Sequence, residues 1–477
     1  MILFLALNTG CSGQGTLPPL NANNLNLVFV VSPDLVYQAP GDINPTTGNL
    51  TNQGLQRSLH LATFLKQQVM GNRNVNRIYA LEPITHLQTE NNLPDMAALG
   101  YIQQFAMLNK VGLFTTGGYG SPLYTANSYP INVSYAQGDP LPAGVAALDK
   151  NNPCLSCQGL KYNDTGHHNT SLALQIIGLN FPGFYVFSAP WETINSLMAE
   201  IIKKQGYNLS LPAAYSGPST IYVISIAPTG SAGLLTYTDD FNPPSIYPKL
   251  PSQVAKTDCK AQKPFSINAI GGENGVQIPA GTNRNETVYM IRHAEAHPVS
   301  GWENGNYVAA GQWRALALAD ALRGKINPTE VWSIDPAQVI PNYNLVPGLT
   351  NFSYIRTSLT VEPYAIANNL PFYLVSDLNL FAEDAPQTTN EKFFFGGEFS
   401  NKTILLAWEH AHFPPTLADL LTRFYPAGNV PAVSEWPSAD YDTIWTVSLD
   451  GQGNLSGNNT LCEGIDSSKL PATAPGY

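Results

Sequence analysis

Val288-Tyr-Met-Ile-Arg-His-Ala-Glu295 is a short apolar run that ends abruptly in charged residues. A run of this length, bounded by polar loop, reads as a buried strand. The chain holds a second such segment, Leu27-Val-Phe-Val-Val-Ser-Pro-Asp34. Working outward, each is followed by an Asn/Gly-rich loop and a helical stretch: Asn52-Gln-Gly-Leu-Gln-Arg57 in one case, Ala309-Ala-Gly-Gln-Trp-Arg314 in the other. Gly54 and Gly311 lie 257 positions apart, and at that offset Ser58, Leu61, Ala62 and Leu65 match Ala315, Leu318, Ala319 and Leu322, one helix face. Ile78-Tyr-Ala-Leu-Glu-Pro83 then matches Val331-Trp-Ser-Ile-Asp-Pro336, and Phe184-Tyr-Val-Phe-Ser-Ala-Pro190 matches Ile404-Leu-Leu-Ala-Trp-Glu-His410. A last pair, Ile221-Tyr-Val-Ile and Ile444-Trp-Thr-Val, closes each copy. Strands alternating with helices in this order predict a mostly parallel sheet covered by helices, here twice over.

Composition narrows the function. With 477 residues the chain has room for two large domains. Only 12% of residues are charged, against about 25% in average soluble domains. Lys and Arg number 23 and Asp and Glu 34, a formal net charge of −11 without a polybasic block. Nucleic acid and anionic membrane surfaces demand a basic face, so neither is an expected partner.

The apolar run Met1-Ile-Leu-Phe-Leu-Ala-Leu7 precedes Asn8-Thr-Gly-Cys11. An apolar stretch ending in small residues before a Cys predicts export, as a cell-surface or periplasmic lipoprotein anchored at Cys11 or as a secreted protein. Of the other cysteines, Cys154 and Cys157 sit three residues apart in a Pro/Asn/Gly loop, which leaves Cys259 and Cys462. Two disulfides, Cys154–Cys157 and Cys259–Cys462, are one of three connectivities for an exported chain.

Chemistry-bearing residues are confined to the second copy. Arg292-His293-Ala294-Glu295 lies at the carboxyl end of its first strand, where open α/β sheets place their sites. Tyr354-Ile-Arg356-Thr-Ser-Leu-Thr360 opens a helix, and Ala407-Trp-Glu-His410-Ala-His-Phe-Pro-Pro415 ends a late strand in His410. In chain order, this set resembles the histidine phosphatase (phosphoglycerate mutase-like) superfamily over most of residues 286–450, with the repeat extending the scaffold over 25–240. The resemblance implies two phosphoglycerate mutase-like three-layer α/β/α domains in tandem. Residues 1–24 would be a signal-like segment and tether, 25–242 a degenerate domain, 243–285 a linker, and 286–477 the domain with the intact motif. The two sheets are expected to pack through a substantial shared face.

The implied activity is phosphomonoester hydrolysis through a phosphohistidine, on a phosphorylated small molecule or a phosphoprotein. The alternative is a non-catalytic surface binding protein on the same scaffold. A neutral imidazole can attack phosphorus, so His293 is the implied nucleophile. Arg292 and Arg356 are the implied clamps on the equatorial oxygens, and His410 the second imidazole. Glu383 is the chosen general acid, with Glu409 and Glu295 left open; strand alternation turns the Glu409 side chain away. His297 and His412 are candidates for the mouth. No cofactor is expected, and no residues show metal-ligand spacing. In the first copy Ser32 and Pro33 replace Arg292 and His293, Pro190 replaces His410, and Arg356 aligns near Ala97 or, alternatively, His86. A Pro cannot accept a phosphoryl group, so the first copy is expected to be catalytically inert.

Overall fold

The computed structural model describes residues 17–477 except 37–40, 89–92, 115–122, 137–138, 140, 143–144, 146–157, 262, 299–301, 342–350, 377, 379–384, 427–432 and 434. Cys11, Cys154, Cys157 and Glu383 therefore lie outside the described residues.

The chain is mixed α/β with several sheets. Its first half runs β1 (Leu25–Val31), α1 (Asn52–Phe64), β2 (Arg77–Ala80), α2 (Ala97–Met107), β3 (Lys110–Phe114) and β4 (Leu123–Asn127). It continues through α3 (His168–Leu179), β5 (Gly183–Ala189), α4 (Trp191–Gln205), β6 (Thr220–Ile226) and β7 (Ala232–Thr238). The second half opens with β8 (Ser266–Ile270), β9 (Glu286–Arg292), α5 (Ala309–Ala321), β10 (Glu330–Ile334), β11 (Val339–Pro341), β12 (Asn351–Ser353) and α6 (Arg356–Asn368). It closes with β13 (Phe372–Val375), α7 (Ala385–Phe394), β14 (Thr403–Trp408), α8 (Phe413–Asp419), β15 (Thr443–Leu449) and β16 (Leu455–Cys462).

Among the described residues the first sheet has the order β2-β5-β1-β6-β7 and the second β13-β10-β14-β9-β15-β16-β8. The inner five strands correspond one to one in position and in direction: two parallel pairings, then two antiparallel. Every residue of β1 is buried, as expected of a central strand covered on both faces. Helix α1 begins where the Thr51 hydroxyl accepts from Gly54 N at 3.1 Å, which satisfies one orphan N–H of the first turn.

Side-chain alternation builds the layers. In the first sheet Leu27, Phe29 and Tyr222 pack with α3 and α4 residues such as Leu172, Ile194 and Leu197, while Val28, Val30 and Val223 face α1 and α2. In the second, Val288, Met290 and Leu406 pack toward Phe393 and Leu417, while Ile291, Leu405 and Ile444 face α5 and α6. The inner core joins residues of both halves, including Leu55, Ile102, Phe105, Leu316 and Leu359. Helices thus meet between the sheets, where the sequence predicted sheet against sheet. The reason is that each sheet face is already covered by its own crossover helices.

Polar bonds fix the two halves in register. Gln103 and Asn306 bond each other reciprocally at 2.8 and 3.1 Å, and Asn306 also donates to Tyr129 O at 3.0 Å. Ser353 Oγ meets Val133 N at 3.0 Å and Ser134 Oγ at 2.6 Å, and Tyr135 donates to Asp335 at 2.7 Å. Within residues 243–285, read as a linker, part of the chain joins the second sheet: β8 pairs with β16, Thr257 N bonds Gly464 O at 3.1 Å, and Cys259 is joined to Cys462. No helix among the described residues is long and apolar enough to cross a membrane.

Arg57 in α1 reaches back to Asp42 at 2.7 Å, and Arg314 in α5 reaches back to Glu295 at 2.8 Å. Arg57 thus ties α1 to the loop after β1, and Arg314 ties α5 to the loop after β9. Glu295 is therefore committed to Arg314, with Glu463 as the second carboxylate, and is not a free acid. Arg314 is fully buried; burial opposes its charge, and Glu295 and Glu463 overcome that and raise its pKa. Removing one partner of a buried ion cluster strands the others. Arg314→Leu should therefore cost about 3–5 kcal/mol, measured by urea denaturation of the full chain.

Candidate functional site

The carboxyl ends of β9 and β14 lie side by side, since Trp408 pairs with Arg292. Arg292 is the last residue of β9 and His293 the next, so the strand delivers both to the sheet end. The backbone after them is pinned: Ala294 N donates to Thr360 Oγ1 at 2.8 Å, and Thr360 donates to Arg356 O at 2.7 Å. Arg356 opens α6, whose start is held by Gly305 O accepting from both Ile355 N and Arg356 N at 3.0 Å.

Glu409 stands at the centre. Its Oε2 lies 3.1 Å from His293 Nε2, 2.6 Å from Tyr354 Oη and 3.3 Å from Arg356 Nη2. Its Oε1 accepts from His410 N at 3.0 Å and contacts His410 Nδ1, with Arg292 Nη2 4.0 Å away. The sequence reading turned this side chain away by strand alternation. That rule stops applying here, because β14 ends at Trp408 and Glu409 already belongs to the loop.

His293 is fully buried, and its Nδ1 donates to Ala294 O at 2.7 Å. A carbonyl can only accept, so the proton sits on Nδ1 and Nε2 is the nitrogen that faces the pocket. Burial, assisted by the charges of Arg356 and Arg292 and opposed by Glu409, pushes His293 down to about 3. The imidazole is consequently neutral at pH 7, the form that attacks an electrophile. Burial also works against the charge of Glu409, but the hydrogen bond from His410 and the charge of Arg356 outweigh it and hold the carboxyl well below the usual range.

The guanidiniums are fixed by their own partners. Arg292 donates to Ser438 O at 2.6 Å and stacks over Tyr441 at 4.0 Å. Arg356 donates to both oxygens of Glu303 at 2.7 Å and lies over Tyr354 at 4.6 Å. Each keeps a buried Nε with no hydrogen-bond partner among the described residues, which leaves donor capacity for an anion. His293, Glu409 and His410 offer atoms within 4.8 Å of one another, a spacing that would also hold a metal ion. A dication about 4 Å from one guanidinium would be repelled by roughly 8 kcal/mol at an effective dielectric of 20, so the two arginines select an anion.

The structure thus brings Arg292, His293, Arg356 and His410 around one carboxylate. His297 lies near His293, with ring centres 6.1 Å apart, but its Nδ1 is engaged by Trp302 O at 2.7 Å. His412 stacks on Trp408 at 4.7 Å instead of entering the cluster. Glu303, Tyr354 and Tyr441 escaped the sequence reading. Tyr354 adjoins the Arg356 motif and could have been noticed there; nothing local marks Tyr441, which reaches Arg292 only through the fold.

No protein-family model matches the chain, and no curated protein matches it. Among solved structures, it is similar to SixA from Agrobacterium tumefaciens, assigned as a phosphohistidine phosphatase (14% identity, 35% of this chain and 92% of that one, TM-score 0.22). It is also similar to the phosphoglycerate mutase of Plasmodium falciparum (14% identity, 41% and 99%, TM-score 0.24). A third is a mycobacterial glucosyl-3-phosphoglycerate phosphatase (13% identity, 38% and 99%, TM-score 0.24). These likenesses are to phosphatases and a mutase over part of the chain, and the chemical reading rests on the site itself.

Arg356 should contribute a charge-assisted bond to a bound oxyanion. Arg356→Ala is expected to weaken binding of inorganic phosphate or vanadate by roughly 10- to 100-fold in calorimetric titration. Gly305 has a φ of +77°, and a Cβ there would meet Ser353 O at 1.9 Å. Gly305→Ala should therefore weaken phosphate binding too, by displacing the start of α6.

Proposed function

We propose that the chain is a histidine phosphatase-like phosphomonoester hydrolase whose chemistry resides in its second half. The observation that supports this most is the closure of two guanidiniums and two imidazoles on one buried carboxylate, with the neutral His293 Nε2 directed at it. A phosphoryl group entering this place would compete with Glu409 for the same cations.

The reaction then follows from the geometry. His293 Nε2 attacks phosphorus, the N–P bond forms and the ester P–O bond breaks, while Arg292 and Arg356 take the charge of the equatorial oxygens. Bringing a phosphate dianion beside Glu409 raises its affinity for a proton, because like charges disfavour ionisation. Glu409 so protonated gives its proton to the leaving oxygen. In the second step it takes one from the attacking water, the N–P bond breaks and phosphate leaves. Glu409 replaces Glu383 in this role; Glu383 lies outside the described residues.

We read residues 25–242 and 286–477 as two copies of one domain, on their matched strand order and on the parallel roles of Arg57 and Arg314. Ser32, Pro33 and Pro190 leave the first copy without a nucleophile. The Cys259–Cys462 disulfide supports an oxidising compartment, and so export, with Cys11 as the proposed lipid attachment. The substrate is a phosphorylated small molecule or phosphoprotein. A second reading, a non-catalytic binding protein on the same scaffold, draws on the Glu409 carboxylate lying among the cations where an anion would bind.

Turnover of p-nitrophenyl phosphate and formation of an acid-labile, base-stable phosphoenzyme separate the two. Acid lability with alkaline stability is the mark of a phosphohistidine, so radiolabel retained after alkaline quench and lost after acid quench is expected. His293→Ala should lose both label and turnover by roughly 10³-fold or more with its circular dichroism unchanged. Wild-type protein that binds phosphate yet never turns over would favour the binding protein, and an unimpaired His293→Ala would remove the mechanism.

A further inference from the structure

At the carboxyl end of the first sheet the fold gathers Asp34 from the loop after β1, His86 from the turn after β2, and Asp95 from just before α2. One carboxylate oxygen of each Asp and a ring nitrogen of His86 lie within 4.8 Å of one another. The sequence reading found no metal-ligand spacing, because these positions are remote along the chain.

Each side chain is held in place. His86 Nε2 is 2.6 Å from Asp34 Oδ2, and its ring stacks on Tyr162 at 3.7 Å. Asp34 Oδ1 accepts from Val36 N at 2.7 Å, which orients Oδ2 toward His86. Asp95 N is fixed by Pro83 O and His86 O, each at 3.0 Å. Its Oδ1 accepts from Gln88 Nε2 at 2.7 Å and Ala97 N at 2.9 Å. Asp95 is fully buried, yet its Oδ2 has no hydrogen-bond partner among the described residues. A desolvated carboxylate oxygen left unpaired is costly, and a bound cation is one way to satisfy it.

Charge favours the same occupant. Glu192, in the first turn of α4, is a third carboxylate, close enough for Asp34 and His86 to act on it, and its Oε2 is likewise unpartnered among the described residues. Among the described residues no Lys or Arg pairs with Asp34, Asp95 or Glu192; His86 on Asp34 is the ion-pair partner in the cluster. The positions that carry Arg292, His293 and Arg356 in the second half hold Ser32, Pro33 and Ala97 here. The same end of the sheet has therefore lost its cations and gained carboxylates.

We propose that Asp34, His86 and Asp95 bind a divalent transition-metal ion, with Zn²⁺ the best match to one imidazole and two carboxylates. Imidazole and carboxylate together suit borderline ions better than Ca²⁺ or Mg²⁺, which prefer oxygen alone. Bonds of about 2.0–2.2 Å to a tetrahedral ion set donors roughly 3.4 Å apart, so the Asp34–His86 contact would open by less than about 1 Å as the ion takes the place of the shared proton. A water completes the coordination. The ion ties the loops after β1 and β2 to the start of α2, one of the helices between the two sheets.

Equilibrium dialysis of the full-length protein against Zn²⁺, with Co²⁺ absorption as a second readout, tests this. A single tight site is expected, weakened by roughly 100-fold or more in His86→Ala and in Asp95→Asn and unchanged in Glu409→Gln. The Co²⁺ visible bands should vanish in His86→Ala. Asp95→Asn keeps shape and volume, so its unchanged circular dichroism distinguishes metal loss from unfolding. If both first-half variants misfold, Asp34→Asn supplies the same comparison. Zinc binding that persists in folded His86→Ala and Asp95→Asn, binding lost only with Glu409→Gln, or no binding at micromolar zinc would each overturn the proposal.

Discussion

Gly305 O accepts from the first two amides at the entry to α6, and the neighbouring Asn304 and Asn306 are bonded to the other half of the molecule. This short loop is the point on which the rest depends. Glu303 at one side of it holds the Arg356 guanidinium, Gly305 holds the Arg356 backbone, and Asn306 locks onto Gln103 in α2. The first half thus supports the pocket of the second, and among the described residues it contributes no side chain to the cluster round Glu409. Buried polar pairs of this kind gain little net energy when made but are costly to leave unmade, so they specify one docking geometry for helices that apolar contacts alone would allow to slide.

The two sheet ends show how one scaffold can carry opposite chemistry. In the second half, buried arginines and a neutral imidazole gather round a carboxylate, and the field there suits an oxyanion. In the first half, the corresponding strand and helix ends bear Ser32, Pro33 and Ala97, while His86, Asp34 and Asp95 converge nearby. Backbone geometry places side chains from successive crossovers at the carboxyl ends of the strands in both cases, and residue choice decides which charges gather there.

The strands were legible because those at the centre of each sheet are buried on both faces and so read as unbroken apolar runs, and the matching strand order of the two halves was legible because similar runs recur in the same sequence, although their spacing drifts from 260 to 220 positions. Arg292, His293, Arg356 and His410 stood out because each lies at the end of a strand or the start of a helix, where side chains converge. Glu295 misled: it sits one residue from the strand-end motif, but the long Arg314 side chain claims it from α5. Glu409 misled in the opposite sense, since a single residue beyond the strand is enough to cancel the alternation of faces.

Local pattern by itself pointed to the central strands and their order and to Arg292 and His293 at a strand end, because burial on two faces and strand-end position are properties of neighbouring residues. Tertiary structure alone decided which groups share a proton or a charge. Glu409 between two histidines, Glu303 on Arg356, Tyr441 under Arg292 and the Asp34–His86–Asp95 cluster all join residues from separate crossovers. Such contacts depend on how far each loop carries its side chains across the sheet end, a distance set by packing and not encoded in any one segment.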